Sequence, residues 1–318
     1  MILLVMMLSL SVSSVKGVTF GSGANTFSLD FTDTLSGSIN PTVAQTIATQ
    51  TQGTLDGFGI VNYDYQMGKH EVTQSQFDAF RSDVGFAANT YYYTPGANRP
   101  ANQTSWFEAA QFVNWLNTSQ GHQAAYDISS SVIDINGSTF NAWGAADAAN
   151  GGTNLYRHKD SVYFLPSEDE WLKAAYWNGS EIQEYAIGAG TSAPSNSVGT
   201  GSNYSDGVYA VGSPDYFWDV GSGGEELNGT YDIMGNVYEW QESPYSDVLY
   251  GDTANRSYRG GAFYDSSGSL SASNRENYSP SVESGSIGFR VASVPEPCTM
   301  AMLAIGGVTA VRRRRAKD

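Results

Sequence analysis

The sequence is nearly without cysteine. Its single cysteine, Cys298, lies close to the C-terminus, and residues 18 to 293 contain no thiol. Disulfide bonds and thiolate metal sites are therefore excluded from that part of the chain. A chain of 318 residues is long enough to bury a hydrophobic core without such cross-links.

Positive charge is also scarce outside the two ends. Residues 18 to 293 contain 10 of the 16 basic residues and 30 of the 32 acidic residues, so this part carries a net charge of about −20. Such a surface repels phosphate backbones and excludes nucleic acid as a partner. It suits divalent cations, or it simply keeps the protein soluble. The other basic residues are Lys16, Arg312, Arg313, Arg314, Arg315 and Lys317.

Long apolar runs occur only at the ends of the chain. Residues 1 to 12 are almost wholly apolar, and small residues surround Lys16. This pattern is typical of a secretory signal peptide, which we place at residues 1–17 and which predicts export. No Lys or Arg precedes the run, and a buried first strand is the alternative interpretation.

The C-terminal residues 294–318 form an ordered series of three features. Pro295, Glu296 and Pro297 precede an uncharged stretch at residues 298–311, and four arginines follow. The series resembles the PEP-CTERM sorting tail of bacterial envelope proteins. The stretch spans about 21 Å as a helix, less than the ~30 Å hydrocarbon core, so we expect a short transmembrane helix with snorkelling arginines. The resemblance implies exosortase-type sorting machinery as a partner and a location in the cell envelope, on the outer surface or in an extracellular matrix.

Between these ends the sequence favours an α+β fold with few helices, short strands and a high irregular content. Thr73 is the predicted N-cap of a helix at residues 74–82, and a second amphipathic helix is predicted at residues 105–117. Ser167 and Glu170 form a capping-box pattern before a third helix at residues 171–177. Thirty-five glycines and a Ser-, Gly- and Asn-rich stretch at residues 118–154 indicate long loops.

Five segments, in order, resemble the formylglycine-generating enzyme or sulfatase-modifying factor family. This resemblance covers nearly all of the predicted domain at residues 18–293 and implies a C-type-lectin-like fold. The segments are YQMGKHEVTQSQF from Tyr65, RPANQTSWFEAAQFVNWL from Arg99, FLPSEDEWLKAAYW from Phe164, GTYDIMGNVYEW from Gly229, and RGGAF from Arg259 leading to GFR at Gly288.

The fourth segment contains oxygen donors at steps of three, two and two residues. Calcium prefers six to eight oxygen ligands and draws them from compact loops of this kind. The resemblance implies a calcium ion bound by the side chains of Asp232 and Glu239 and by the carbonyls of Gly235 and Val237. An ordinary turn followed by an exposed glutamate is the alternative. A second calcium site implied by the resemblance consists of Asn203, Tyr204, Asp215 and Phe217.

Copper chemistry of the family's kind is not expected. The resemblance implies a copper ion held by two cysteines after the RGG turn, and those positions are Asp265 and Leu270 here. Soft thiolates select Cu(I), whereas a carboxylate is a hard ligand and leucine is none. His70, His122 and His158 lie far apart in the sequence without a metal-binding spacing, and a structural aromatic position is expected at His70.

The segment at residues 265–283 corresponds to the enzyme's active groove. Its Ser, Asn and Tyr content is typical of recognition surfaces, so we expect a non-catalytic module that binds a glycan or a peptide, or an extracellular structural module. The alternatives are a solvated loop and a divergent enzyme with changed chemistry. The candidate contact residues are Asp265, Asn274, Arg275, Asn277 and Tyr278.

Overall fold

The computed structural model describes residues 18–35, 58–129, 138–188, 190, 192–246 and 254–295. Within these ranges no helix combines the length and the apolar character needed to cross a bilayer. The predicted signal peptide and almost all of the predicted sorting tail, including its apolar stretch, lie outside the described residues.

Two helices begin directly after the caps that the sequence predicts, Thr73 and Ser167. Helix α1 is Gln74–Asp83, α2 is Trp106–Ser119, α3 is a single turn at Ala149–Gly152, and α4 is Glu168–Tyr176. Thr73, Ser105 and Ser167 each accept a hydrogen bond from the backbone of the third helical residue, whose side chain bonds back to the cap. These capping boxes satisfy amide groups that the helix itself leaves free.

The strands are short. They are β1 Val18–Phe20, β2 Phe27–Leu29, β3 Gln66–Met67, β4 Asp127–Ile128, β5 Phe140–Asn141, β6 Asn154–His158, β7 Tyr163–Phe164, β8 Tyr238–Pro244, β9 Arg256–Arg259, β10 Glu276–Tyr278, β11 Ile287–Gly288 and β12 Ala292–Ser293. In the described part of the chain, all of them except β6 lie in four small sheets: a four-stranded sheet has the order β10-β9-β8-β11, a three-stranded sheet has the order β3-β12-β7, β1 pairs with β2, and β4 pairs with β5. This α+β architecture confirms the predicted fold class.

The main core is rich in aromatic rings. Phe112 of α2 lies 5.4 to 6.1 Å, centroid to centroid, from Phe77 and Phe80 of α1 and from Phe289. Offset and edge-to-face packing of such rings adds to the gain from burying their area. The N-terminal strands join this core through Phe27, which stacks on Phe112.

Buried ion pairs fasten α4 to the rest of the domain. Arg157 donates to Glu170 at 2.8 Å and to Glu242 at 2.9 Å, and all three side chains are at most 4% exposed. Glu168 accepts hydrogen bonds from Arg259 and Arg275. Glu168 and Glu170, which lie favourably in the first turn of α4, therefore also hold buried guanidinium groups.

Candidate functional site

A glycine turn after β9 sets the position of Asp265. Gly260 and Gly261 have φ angles of +103° and +76°, which glycine adopts without strain. A Cβ atom on Gly260 would lie 2.7 Å from the carbonyl oxygen of Ile233, so a side chain has no room there. The RGG sequence therefore forms a turn at which two backbone segments approach closely.

The Asp265 carboxylate is held from two sides. The Ala262 amide donates to Oδ2 at 2.9 Å, and the Tyr238 hydroxyl donates to the same carboxylate. Burial raises the pKa of Asp265, while these two donors lower it. The carbonyl of Asp265 also accepts the Ser205 amide at 2.9 Å, which fixes the backbone at this point.

Leu270, which the resemblance aligns with the second cysteine position, is fully buried. It ends a 3-10 turn at Ser267–Leu270, and its carbonyl accepts the Tyr176 hydroxyl at 2.7 Å. Leu270 therefore belongs to the hydrophobic core. The two positions offer an oxygen and a hydrocarbon, and neither is a ligand for Cu(I).

A cluster of aromatic rings surrounds Asp265. Its centre is Phe263, which is 2% exposed and whose ring centroid lies 5.0 to 6.3 Å from those of Tyr93, Tyr209, Tyr216, Phe217 and Tyr264. Exposed fractions reach 70% at Tyr92, 47% at Tyr209 and Tyr278, and 44% at Tyr264. We call this surface the tyrosine face and define it by Tyr92, Tyr93, Tyr209, Tyr216, Tyr264 and Tyr278.

Strand β10 contributes Glu276 and Tyr278 to this surface. Glu276 lies opposite Tyr258 in the register between β10 and β9, so the two side chains share a side of the sheet. Burial, and then the charges of Glu276, Tyr264, Tyr278 and Asp265, raise the pKa of Tyr258. The tyrosine face thus encloses two carboxyl groups, those of Asp265 and Glu276.

The structure divides the predicted groove residues between two places. Arg275 donates to both carboxylate oxygens of Glu168, at 2.6 and 2.7 Å, and its guanidinium lies 4.1 Å from the Tyr245 ring centroid. Asn277 alternates with Glu276 and Tyr278 along β10 and accepts a bond from Asn255 at 2.7 Å. Arg275 and Asn277 therefore lie on the side away from Asp265.

The side-chain amide of Asn274 is not free to bind a ligand at the tyrosine face. It is 7% exposed, and its Nδ2 donates to the Ser269 carbonyl at 3.1 Å. Its own carbonyl accepts Arg259 at 2.7 Å. Of the predicted contact residues, the structure brings Asp265 and Tyr278 together at this surface.

The first predicted calcium loop is engaged in other contacts. Both carboxylate oxygens of Glu239 accept Arg290, at 2.5 and 2.6 Å, and Oε2 also accepts the Trp171 indole at 2.7 Å. Asp232 accepts the amides of Gly221 and Gly223. Gly235, with φ +85°, directs its amide to the carbonyl of Gly260 at 2.8 Å, and Val237 is buried.

Beside this loop lies a carboxyl group with an unsatisfied oxygen. Glu71 is 2% exposed; its Oε2 accepts Asn236 at 2.9 Å, while its Oε1 has no hydrogen-bond partner among the described residues. Burial, followed by the charges of Asp232 and Glu239, raises the pKa of Glu71 well above its usual range. This environment therefore disfavours the ionised form of Glu71.

The second predicted calcium set is also engaged in contacts within the domain. Asn203 is buried, its Nδ2 donates to the Tyr216 carbonyl and to Asn236, and its Oδ1 has no partner among the described residues. Asp215 pairs with Arg99 at 2.8 Å, and its side chain is 46% exposed. Tyr204 and Phe217 are both buried.

Geometry alone assigns no ion to either loop. Across the described ranges, no three His, Cys, Asp or Glu side chains are grouped so that they could hold a metal ion. Side-chain ligands would therefore have to be supplemented by carbonyl and amide oxygens.

Sequence reasoning missed most of the tyrosine face. The run Tyr91, Tyr92 and Tyr93 was a visible signal, but nothing in the sequence shows that it meets Tyr209, Tyr216 and Phe263. The groove residues were chosen from one continuous segment, whereas the surface is assembled from several separate ones.

The fold resembles solved structures across most of its length. Treponema denticola variable protein 1 matches with a TM-score of 0.61 at 20% identity, covering 88% of this chain and 100% of that chain. CarF matches with a TM-score of 0.55 at 19% identity, covering 84% of this chain and 99% of its own, and PvdO from Pseudomonas aeruginosa with 0.54 at 19% identity, covering 89% and 100%. Identities this low establish the fold alone.

A comparison with curated proteins finds no match. A family model matches residues 59–294, well over half of the chain, and it describes the sulfatase-modifying factor enzyme 1-like domain. The match starts before α1, ends just after β12, and includes α1, α2, α4 and the glycine turn. The chain therefore belongs to the sulfatase-modifying factor enzyme 1-like domain family.

Proposed function

We propose that this protein is an exported, envelope-anchored member of the family that binds a ligand without transforming it. The binding surface is the tyrosine face, and the expected ligands are glycans or peptides. The observation that carries the proposal is the replacement of both copper-ligand positions, by Asp265 and Leu270, beside a surface of exposed tyrosines.

The physical character of this surface supports recognition. Tyrosine rings supply large contact areas and lose little side-chain entropy, because each side chain has only two rotatable angles. The rings of Tyr93, Tyr216 and Tyr264 are packed against Phe263, which limits their motion further. A cluster of exposed aromatic residues on a folded domain is typical of an interaction site.

The test is a screen of the purified full chain against glycan and peptide arrays, followed by affinity measurements on every hit. We expect the Tyr209→Ala/Tyr264→Ala variant to bind at least about tenfold more weakly, because both rings are exposed on the tyrosine face. Tyr245→Ala is the matched control, since Tyr245 is 36% exposed and lies against Arg275 on the other side of β10. Blank arrays at high micromolar concentration would contradict the proposal.

A divergent enzyme is the second candidate, and one observation favours it. Burial raises the pKa of Asp265, and Tyr238 donates to its carboxylate, so this carboxyl group has an environment suited to proton transfer. Conversion of a sulfatase-derived cysteine peptide to the aldehyde, in the presence of copper and oxygen, would overturn the non-catalytic assignment. Any other turnover that Asp265→Asn abolishes would favour the enzyme.

We also propose a structural calcium ion in the Asp232–Glu239 loop. The unpartnered oxygens of Glu71 and Asn203 support it, because buried oxygens without donors are favourable cation ligands. Arg290 already neutralises Glu239, so the charge left for a cation is that of Asp232 and Glu71. Bound there, the ion would neutralise these carboxylates and brace the loop.

The two ends supply the proposed location. A signal peptide at residues 1–17 would start export, and the apolar stretch with its arginines would hold the chain in the membrane until exosortase-type machinery processes it. Few basic residues lie between these ends, so the domain itself has an acidic surface that favours solubility. Such a surface agrees with a domain located outside the cytoplasm.

A further inference from the structure

Resting on the proposed function, we propose that the tyrosine face recognises a cationic ligand, namely a lysine- or arginine-rich peptide segment. Three properties of the surface carry this inference: unpaired acidic groups, exposed aromatic rings and a shortage of free amide groups.

The acidic groups at this face have no cationic partners. Asp265 and Glu276 lie among Tyr238, Tyr258 and Tyr264, and no described residue forms an ion pair with either of them.

The arginines at the margins are already neutralised. Arg99 pairs with Asp215 at 2.8 Å, and Arg81 pairs with Glu108 at 2.6 Å. Arg275 pairs with Glu168 on the opposite side of β10. The face therefore presents the carboxyl groups of Asp265 and Glu276, and a positively charged ligand would meet no unpaired like charge from Arg81, Arg99 or Arg275.

Exposed tyrosine rings add an attraction for the same class of ligand. A lysine ammonium or arginine guanidinium over an exposed aromatic ring gains about 0.5–1 kcal/mol, and more when water is excluded. This domain already shows the geometry internally, since the Arg275 guanidinium lies 4.1 Å from the Tyr245 ring centroid. Several such rings beside carboxylates would bind successive cationic side chains of one segment.

A neutral glycan matches the hydrogen-bonding groups available on this surface less well than a cationic peptide does. The Asn274 amide is bonded to the Ser269 carbonyl, and Asn277 is bonded to Asn255 on the other side of the strand. The tyrosine hydroxyls and the carboxylates of Asp265 and Glu276 remain, so the surface is richer in acceptors than in donors. Peptide ammonium and guanidinium groups are donors only, which complements it.

The test is titration of the full chain with a fluorescent oligolysine peptide, compared with an oligoglutamate peptide and a neutral cello-oligosaccharide. We expect oligolysine to bind and the other two not to, with affinity falling at least about tenfold between about 0.05 and about 0.5 M salt. The Asp265→Asn/Glu276→Gln variant should bind oligolysine about tenfold more weakly. Asp147→Asn/Asp160→Asn, which removes the same charge from exposed carboxylates elsewhere, should stay within about twofold.

Each alternative result has a defined meaning. If the oligosaccharide binds in a Tyr264-dependent way and oligolysine does not, the cationic class is wrong while the proposed binding function stands. If both charge variants weaken oligolysine equally, the attraction is diffuse and the inference fails. If no probe and no array ligand binds, the proposed function fails with it. Tyr278→Ala removes a ring that is 47% exposed, so it tests the same face without a buried change, and circular dichroism verifies the folding of each variant.

Discussion

His70 shows how one residue departs from its expected role. Its ring packs against Tyr231 at 5.2 Å between centroids, as an aromatic position should, but its Nδ1 has no hydrogen-bond partner among the described residues. Burial, and then the charge of Arg290, lower the pKa of His70 from 6.5 to about 4. The folded protein therefore binds a proton here less readily than the unfolded chain does.

We predict that His70→Phe changes the pH dependence of stability. A depressed histidine pKa contributes stability that is present above pH 6.5 and is lost as the pH falls towards about 4. Phenylalanine removes this loss and keeps the contact with Tyr231, so the variant should lose about 1–3 kcal/mol less than the wild type across that window. Urea denaturation of both proteins at several pH values measures this difference in the free energy of unfolding. The other titrating groups are common to both proteins, so their contributions cancel. Parallel curves for the two proteins would show that His70 does not titrate in this range.

Glu239 illustrates a residue with two candidate roles. The resemblance implied a calcium ligand, whereas the structure gives both of its oxygens to Arg290. Replacing a carboxylate that pairs with a buried arginine leaves an uncompensated charge, which costs several kcal/mol. For this reason loss of stability in a Glu239 variant would not distinguish the two roles, and Glu71 is the more informative residue for testing calcium.

At the scale of elements, the sequence predicted what is local. Thr73 and Ser167 marked the starts of α1 and α4 because capping is decided within four residues. Strand β6 was not predicted, since Asn154–His158 lies at the end of a stretch whose composition indicates a loop, and it pairs only through isolated bridges. The tyrosine face was missed for a related reason: its rings come from segments that only the tertiary fold brings together.

The Asp232–Glu239 loop gives a prediction at this scale. If it holds calcium, chelation should lower the melting temperature by about 5–10 °C, because an ion present at about 100 times its dissociation constant adds about 2.7 kcal/mol. Glu71→Gln should abolish most of this shift by removing an unpartnered oxygen and its charge. Glu225→Gln is the matched control, since Glu225 is exposed in the same region. The proposed ion would be rejected if calcium titrated into the chelated protein produced no heat of binding and chelation left the melting temperature unchanged.

The whole molecule combines an acidic domain with basic ends. The net charge of about −20 over residues 18 to 293 gives long-range attraction for cations and keeps copies of the domain apart. At the proposed location, the arginines at residues 312–315 would have the opposite effect, because anionic inner-leaflet lipids would attract them. Negative charge therefore lies in the domain and positive charge near the C-terminus. This distribution is the one expected if the domain lies outside the membrane and the tail ends in the cytoplasm.

We predict that deletion of residues 298–318 moves the protein from the membrane fraction to the soluble exported fraction. The apolar stretch and the arginines supply the proposed attachment, and nothing in the described domain is long and apolar enough to replace them. Immunoblots of fractionated cells that contain exosortase-type machinery measure the distribution. As a control, Pro295→Ala/Pro297→Ala leaves the apolar stretch intact and should keep the chain in the membrane while preventing its processing to a smaller form. If the protein still associates with the membrane after the deletion, the anchor lies elsewhere in the chain. If the proline variant is still processed, the interpretation of the tail as a sorting signal is wrong, because the Pro-Glu-Pro box is the feature that distinguishes this tail from an ordinary short anchor.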